Sequence, residues 1–113
     1  MARIDDEPNG LVTTTMVVAE TGWLIDRQLG ALAEAEFYSS IVAGEIRVEP
    51  LAGEDWVRVS DLTATYADNG LGGVDSSLIA VAERLGLDTI ATLDHRHFRA
   101  VRPKHVKAFK LVP

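Results

Sequence analysis

Hydrophobic and polar positions along the chain alternate between two periods, and the switches mark out its elements. "LVTTT" (11–15) is short and β-branched, which predicts a strand. The next segment, "MVVAETGWLIDRQLG" (16–30), puts Met16, Val17, Trp23, Leu24 and positions 27–28 on one helical stripe, with Gly30 as a stop. "ALAEAEFYSSIVAG" (31–44) predicts a second helix closed by Gly44, and "IRVEPL" (46–51) alternates as a strand does. "GEDWVRVSDLTATYADNG" (53–70) reads as an amphipathic helix with Trp56, Val57, Val59, Leu62 and Tyr66 inward, ending at Asn69-Gly70. A glycine loop, "GLGG" (70–73), leads into "VDSSLIAVAERLG" (74–86), whose apolar positions are Leu78, Ile79, Val81, Ala82 and Leu85. "TIATL" (89–93) predicts a strand, and "AFKLV" (108–112) a last one after Pro103. Short strands alternating with helices predict an α/β domain with a largely parallel sheet covered by helices.

Composition narrows the class. At 113 residues, 47% hydrophobic and 25% charged, the chain is one globular domain with a single core. It has no cysteine, which excludes a disulfide scaffold, a thiolate metal site and a cysteine nucleophile. That fits an intracellular, cytoplasmic protein. The apolar runs are too short to span a bilayer, and the acidic start "MARIDDEPNG" is not a signal peptide. Charge is segregated: residues 1–94 carry −12, while residues 95–113 carry +6 from Arg96, Arg99, Arg102, Lys104, Lys107 and Lys110 with no acid. Such a strip either holds a polyanion or neutralises the acidic body.

Three carboxylates stand in unusual places. Glu20 lies on the stripe of Met16, Val17, Trp23 and Leu24, so it either faces the core edge with a partner or reaches out to water. Asp75 directly precedes "SSLIAVAERLG" and is either the helix cap or something more, because the glycines before it let backbone approach closely. Asp94 ends a strand, where it either caps the turn "HRHFRA" or sits at the edge where parallel α/β sheets bind ligands. Three acids converging at one sheet edge would repel each other unless a cation lay between them. Hard divalent ions such as Mg²⁺ or Mn²⁺ take oxygen ligands and suit such a set. His95, His97 and His105 lack a well-spaced further ligand for zinc and read as part of the basic strip. "GLGGVD" lacks the third glycine and the preceding strand of a dinucleotide fingerprint.

"LVTTTMVVAETGWLI", "YADNGLGGVDSSLIAVAERLG" and "TLDHRHFRAVRP", in this order and spacing, resemble PIN-domain ribonucleases of the VapC toxin kind. The resemblance runs from about residue 9 to the C-terminus. It implies a three-layer α/β/α sandwich with a mainly parallel sheet, and Mg²⁺- or Mn²⁺-dependent endonucleolytic cleavage of RNA. It further implies a homodimer inhibited by a cognate antitoxin, with the acidic site residues on Glu20, Asp75 and Asp94. Thr92, on the same side of the strand as Asp94, would assist by hydrogen bonding, and Arg96, Arg99 and Arg102 would hold the RNA backbone.

The family pattern also has an aspartate at the end of a central first strand. "MARIDDEPNG" shows no apolar run, so residues 1–10 are expected to be a polar leader and 11–113 an N-terminally truncated PIN domain. The role is not carried over to Asp5 or Asp6, and an internal start at Met1 is the simplest account. A rival reading is a catalytically inactive truncated domain that binds an antitoxin or another partner. A phosphoacceptor pocket ranks lower, since Lys104 is separated from Asp94 by a proline-containing segment.

Overall fold

A computed structural model of the chain describes residues 2–6, 10–93 and 95–113. Strand β1 (Arg3–Asp6) and strand β2 (Gly10–Thr14) pair antiparallel, and helix α1 (Thr15–Leu29) leaves β2 directly. Helix α2 (Ala31–Val42) returns along α1 to strand β3 (Ile46–Glu49), which stops at Pro50, a residue with no amide hydrogen for the ladder. Helix α3 (Gly53–Thr65), a 3-10 turn (Ala67–Asn69) and helix α4 (Gly73–Leu85) lead to strand β4 (Thr89–Ala91). The short helix α5 (His95–Arg99) and strand β5 (Lys110–Val112) complete the order.

The sheet order is β3-β2-β1-β4-β5. β2 pairs β3 in parallel and β4 pairs β5 in parallel, whereas β1 runs antiparallel to both of its neighbours. Four strands therefore share one direction and the central one is reversed, so the sheet is mixed, with both of its outer pairs parallel. This corrects the reading of residues 1–10 as a strandless leader. The register sets Val12, Ile4, Ile90 and Leu111 side by side across four strands, and the first three are fully buried. One isoleucine is enough at that place because the backbone ladders on both sides supply the other interactions of a central strand. An alternating apolar run is the signature of an edge or longer strand, and Arg3–Asp6 has none.

Helices flank this sheet, and α4 is the central one, with Leu78, Ile79, Val81 and Ala82 fully buried. α3 packs along it through Val59 and Leu62. The inward face of α3 is Asp55, Val59 and Leu62, an i, i+4, i+7 series. Trp56 and Val57, expected inward, are 53% and 64% exposed because they lie about 100° and about 200° round the helix from Asp55. On α1 the buried residues are Val17 and Gly22; Trp23 and Leu24 are largely exposed, with the Arg27 guanidinium 4.8 Å from the Trp23 ring centroid. α1 packs on α2 at Gly22, where a Cβ would collide with the Tyr38 hydroxyl. Among the described residues no helix is long and apolar enough to cross a membrane.

Candidate active site

The site is built where β2 hands over to α1. Thr14 is the N-cap of α1, and its hydroxyl oxygen accepts the Val17 amide at 3.2 Å. The same oxygen lies 2.8 Å from Ser77 Oγ, and Ser77 Oγ donates to the Val74 carbonyl at 2.6 Å. Since Ser77 spends its one hydroxyl proton on Val74, Thr14 must donate to Ser77. The bonds run in one direction: Val17 amide, Thr14 hydroxyl, Ser77 hydroxyl, Val74 carbonyl. Both side chains are fully buried, so this relay fixes the first turn of α1 against the first turn of α4.

Those turns carry two of the three acids. Glu20, exposed on α1, and Asp75, partly buried on α4, line one cleft of about 330 Å³ together with Ala2, Val17, Thr21 and Val74. Glu20 thus reaches water, one of its two expected settings, on the wall of the cleft that Asp75 also lines. Asp75 is not the helix cap: α4 starts at Gly73 with Gly72 in the capping position, and Asp75 is in the first turn. Its Oδ2 instead accepts from His97 Nδ1 at 3.3 Å. The glycines before it do not serve close approach. A Cβ on Gly72 would meet open space, and one on Gly73 would make ordinary contact with Met16. Only Gly70, at φ 73°, needs glycine for its left-handed backbone.

The third acid, Asp94, lies outside the described residues, three positions beyond the end of β4. Thr92 is buried, and its amide donates to the Val112 carbonyl at 2.8 Å. The reversed β1 brings its amino end, Ala2 and Arg3, to this edge, since Arg3 pairs with Ala91 and Asp6 with Gly10 at the opposite end. The backbone positions of Asp5 and Asp6 therefore stay away from the cleft.

The histidines separate. His97 joins the acids rather than the basic strip, a partnership that no helical or strand period of the sequence signals. His105 Nε2 lies 2.6 Å from the Leu87 carbonyl, and its ring meets Phe109 edge-on. His95 flanks a different hollow beside Phe98 and Arg99. Among the described residues no group of three His, Cys, Asp or Glu side chains is close enough to hold a metal. The donors that do share the cleft, Glu20 and Asp75, are hard carboxylate oxygens. Mg²⁺ is commonly held by one or two carboxylates with waters and phosphate oxygens, so this pair fits such an ion in kind. The contacts of Thr14 and Ser77 with each other, and of His97 with Asp75, are ones that the sequence did not mark. Small hydroxyl residues inside otherwise apolar periodic runs were the available signal.

Comparison with known proteins bears on the family and the fold. Ribonuclease VapC26 of Mycobacterium tuberculosis is 29% identical over 110 residues, covering 97% of this chain and 82% of VapC26. The crystal structure of VapC20 from the same organism, a sarcin-ricin loop cleaving toxin, superposes with a TM-score of 0.66 at 20% identity. That likeness covers 74% of this chain and 65% of VapC20, so the chain spans about two-thirds of that structure. The PIN-domain family model matches residues 1–103, strand β1 included. The chain belongs to the PIN-domain family.

Proposed function

We propose that the chain is an endoribonuclease toxin of the VapC kind that hydrolyses RNA phosphodiester bonds with a divalent ion, Mg²⁺ or Mn²⁺, held by Glu20, Asp75 and Asp94. One observation carries the reading: Glu20 and Asp75 face one cleft with their helix starts locked together through Thr14 and Ser77. The likeness to Ribonuclease VapC26 supports it. When bound, the ion would activate a water and offset charge on the scissile phosphate. The chain's own residues orient the carboxylates: His97 holds Asp75 from outside, and the buried relay holds its backbone from inside. Thr92 is proposed to assist Asp94 from the strand end.

The rival reading of an inactive binding module rested on the missing fourth acid, and the likeness to a ribonuclease over 97% of the chain favours the enzyme instead. Arg3–Asp6 occupy the centre of the sheet, and both described acids keep their cleft. A cognate antitoxin and a second copy of the chain are the proposed protein partners. They are supported by apolar side chains left in water on α1, α2 and α3, among them Leu29 at 73%, Leu32 at 86% and Val42 at 89% exposure.

The test is cleavage of structured RNA by purified protein with and without Mg²⁺. Glu20→Gln, Asp75→Asn and Asp94→Asn are each expected to lower Mg²⁺-dependent cleavage at least about a hundredfold while leaving the circular dichroism spectrum unchanged. Full cleavage by Asp75→Asn would refute the assignment.

A further inference from the structure

The segregated charge of the chain has two possible uses, neutralisation of the acidic body or capture of a polyanion, and the ion pairs distinguish them. Among the described residues, the cations that pair with acids through their side chains are Arg47, Arg58, Arg84 and His97. Arg99, Arg102, Lys104, Lys107 and Lys110 make no such pair among the described residues. These five cations are therefore not neutralised by acids among the described residues.

Its backbone is nevertheless held firmly. The Arg102 amide donates to the Tyr66 hydroxyl at 2.9 Å, and the Lys104 amide to Glu83 Oε2 at 2.7 Å. Val101 and Pro103 are buried. With the main chain drawn inward at these points, the Arg102 and Lys104 side chains stand in solvent. The segment folds around an open hollow of about 640 Å³ bounded by Arg99, Arg102 and Lys107, with only small or apolar residues in between. It contains no acid and no aromatic ring.

We infer that this hollow is a phosphate exosite that grips the RNA backbone beside the cleavage site without reading bases. The inference rests on the ribonuclease reading and adds the residues that hold the substrate away from the scissile bond. Two guanidinium groups and one ammonium suit phosphodiester oxygens, the guanidinium forks in bidentate fashion. The absence of a ring in the hollow removes base stacking, so affinity there comes from charge and is insensitive to sequence. Proximity favours RNA over an acidic peptide. Arg99 ends the same helix on which His97 contacts Asp75, and five helical residues cover only about 7.5 Å. A strand whose phosphate lies at Asp75 has its neighbouring phosphates within reach of Arg99. Arg96, expected to share this role, does not line the hollow.

The experiment uses a fluorescein-labelled unstructured 12-nucleotide RNA in EDTA, so that binding is measured without cleavage, by anisotropy across a KCl series. Arg99→Gln/Arg102→Gln/Lys107→Gln is expected to bind at least about tenfold more weakly at low salt. It should also flatten the slope of log K against log[KCl] by about 2, near 0.7 for each lost single-strand phosphate contact. The charge-preserving Arg99→Lys/Arg102→Lys/Lys107→Arg should keep the wild-type slope, which separates lost charge from lost fold. Wild-type affinity and slope in the glutamine variant overturn the exosite, as does displacement of the RNA by a 12-residue polyglutamate at equal concentration. Cleavage by Asp75→Asn is scored separately, so the nuclease reading and the exosite fail or survive independently.

Discussion

His97 and Asp75 show how one side chain can set the competence of another. An imidazole N–H on one carboxylate oxygen fixes the rotamer and leaves the other oxygen for the cleft, as outer partners do for metal-binding carboxylates. His97→Ala is expected to weaken Mn²⁺ affinity and lower kcat about tenfold with KM for RNA little changed. His97→Asn, whose amide nitrogen can stand near the lost Nδ1, should recover part of both. Isothermal titration of Mn²⁺ reads the effect without any turnover, and wild-type affinity in His97→Ala would show that the contact does not position Asp75.

At the scale of elements, α3 and α4 are joined by two charge contacts. Arg58 donates to Glu83 through both Nε and Nη2, at 2.7 and 2.9 Å, and Glu83 also accepts the Lys104 amide. Arg84 reaches the buried Asp55, whose Oδ2 also receives the Ala52 amide at the start of α3. Burial pushes the Glu83 carboxyl up, but the Arg58 fork and the Lys104 amide outweigh it and hold the group below its usual range. A depressed carboxyl contributes stability that is complete above its unfolded value, about pH 4.3, and fades as pH falls through the folded one. Wild-type urea midpoints should therefore drop between about pH 5 and pH 3 more steeply than those of Glu83→Gln. Arg58→Ala should cost about 2–3 kcal/mol at pH 7, because Glu83 is left largely buried with only the Lys104 amide. Equal pH slopes in wild type and Glu83→Gln would contradict this.

For the whole molecule, the reversed β1 is decisive. It joins the β2–β3 half of the sheet to the β4–β5 half, and Ile4 is its anchor between Val12 and Ile90. Ile4→Ala should cost about 3 kcal/mol in urea unfolding, the usual range for a fully buried isoleucine. A loss below about 1 kcal/mol would mean that the two halves hold together without it. The reversal also decides what reaches the catalytic edge: Ala2 lines the cleft, while the Asp5 and Asp6 positions are carried to the other end of the sheet.

The sequence by itself determined the order of helices, the burial of α4, the α/β class and the acids worth attention. These follow from local periodicity, which a helix or a long strand imprints on its own residues. It also set the charge polarity, since no fold can remove six cations from the last 19 residues. Tertiary structure alone decided the rest. A strand of four residues with one isoleucine has no pattern to read; its place comes from ladders with residues up to 88 positions away. Trp56 belongs to an apolar-looking run, yet neighbouring elements chose Asp55 for the inside because Arg84 waits there. Asp75 was visible as an acid, but that it answers to His97 and is pinned through Thr14 and Ser77 required three separate segments to meet. Hydrogen bonds between such segments leave no period in the chain, because nothing local demands them.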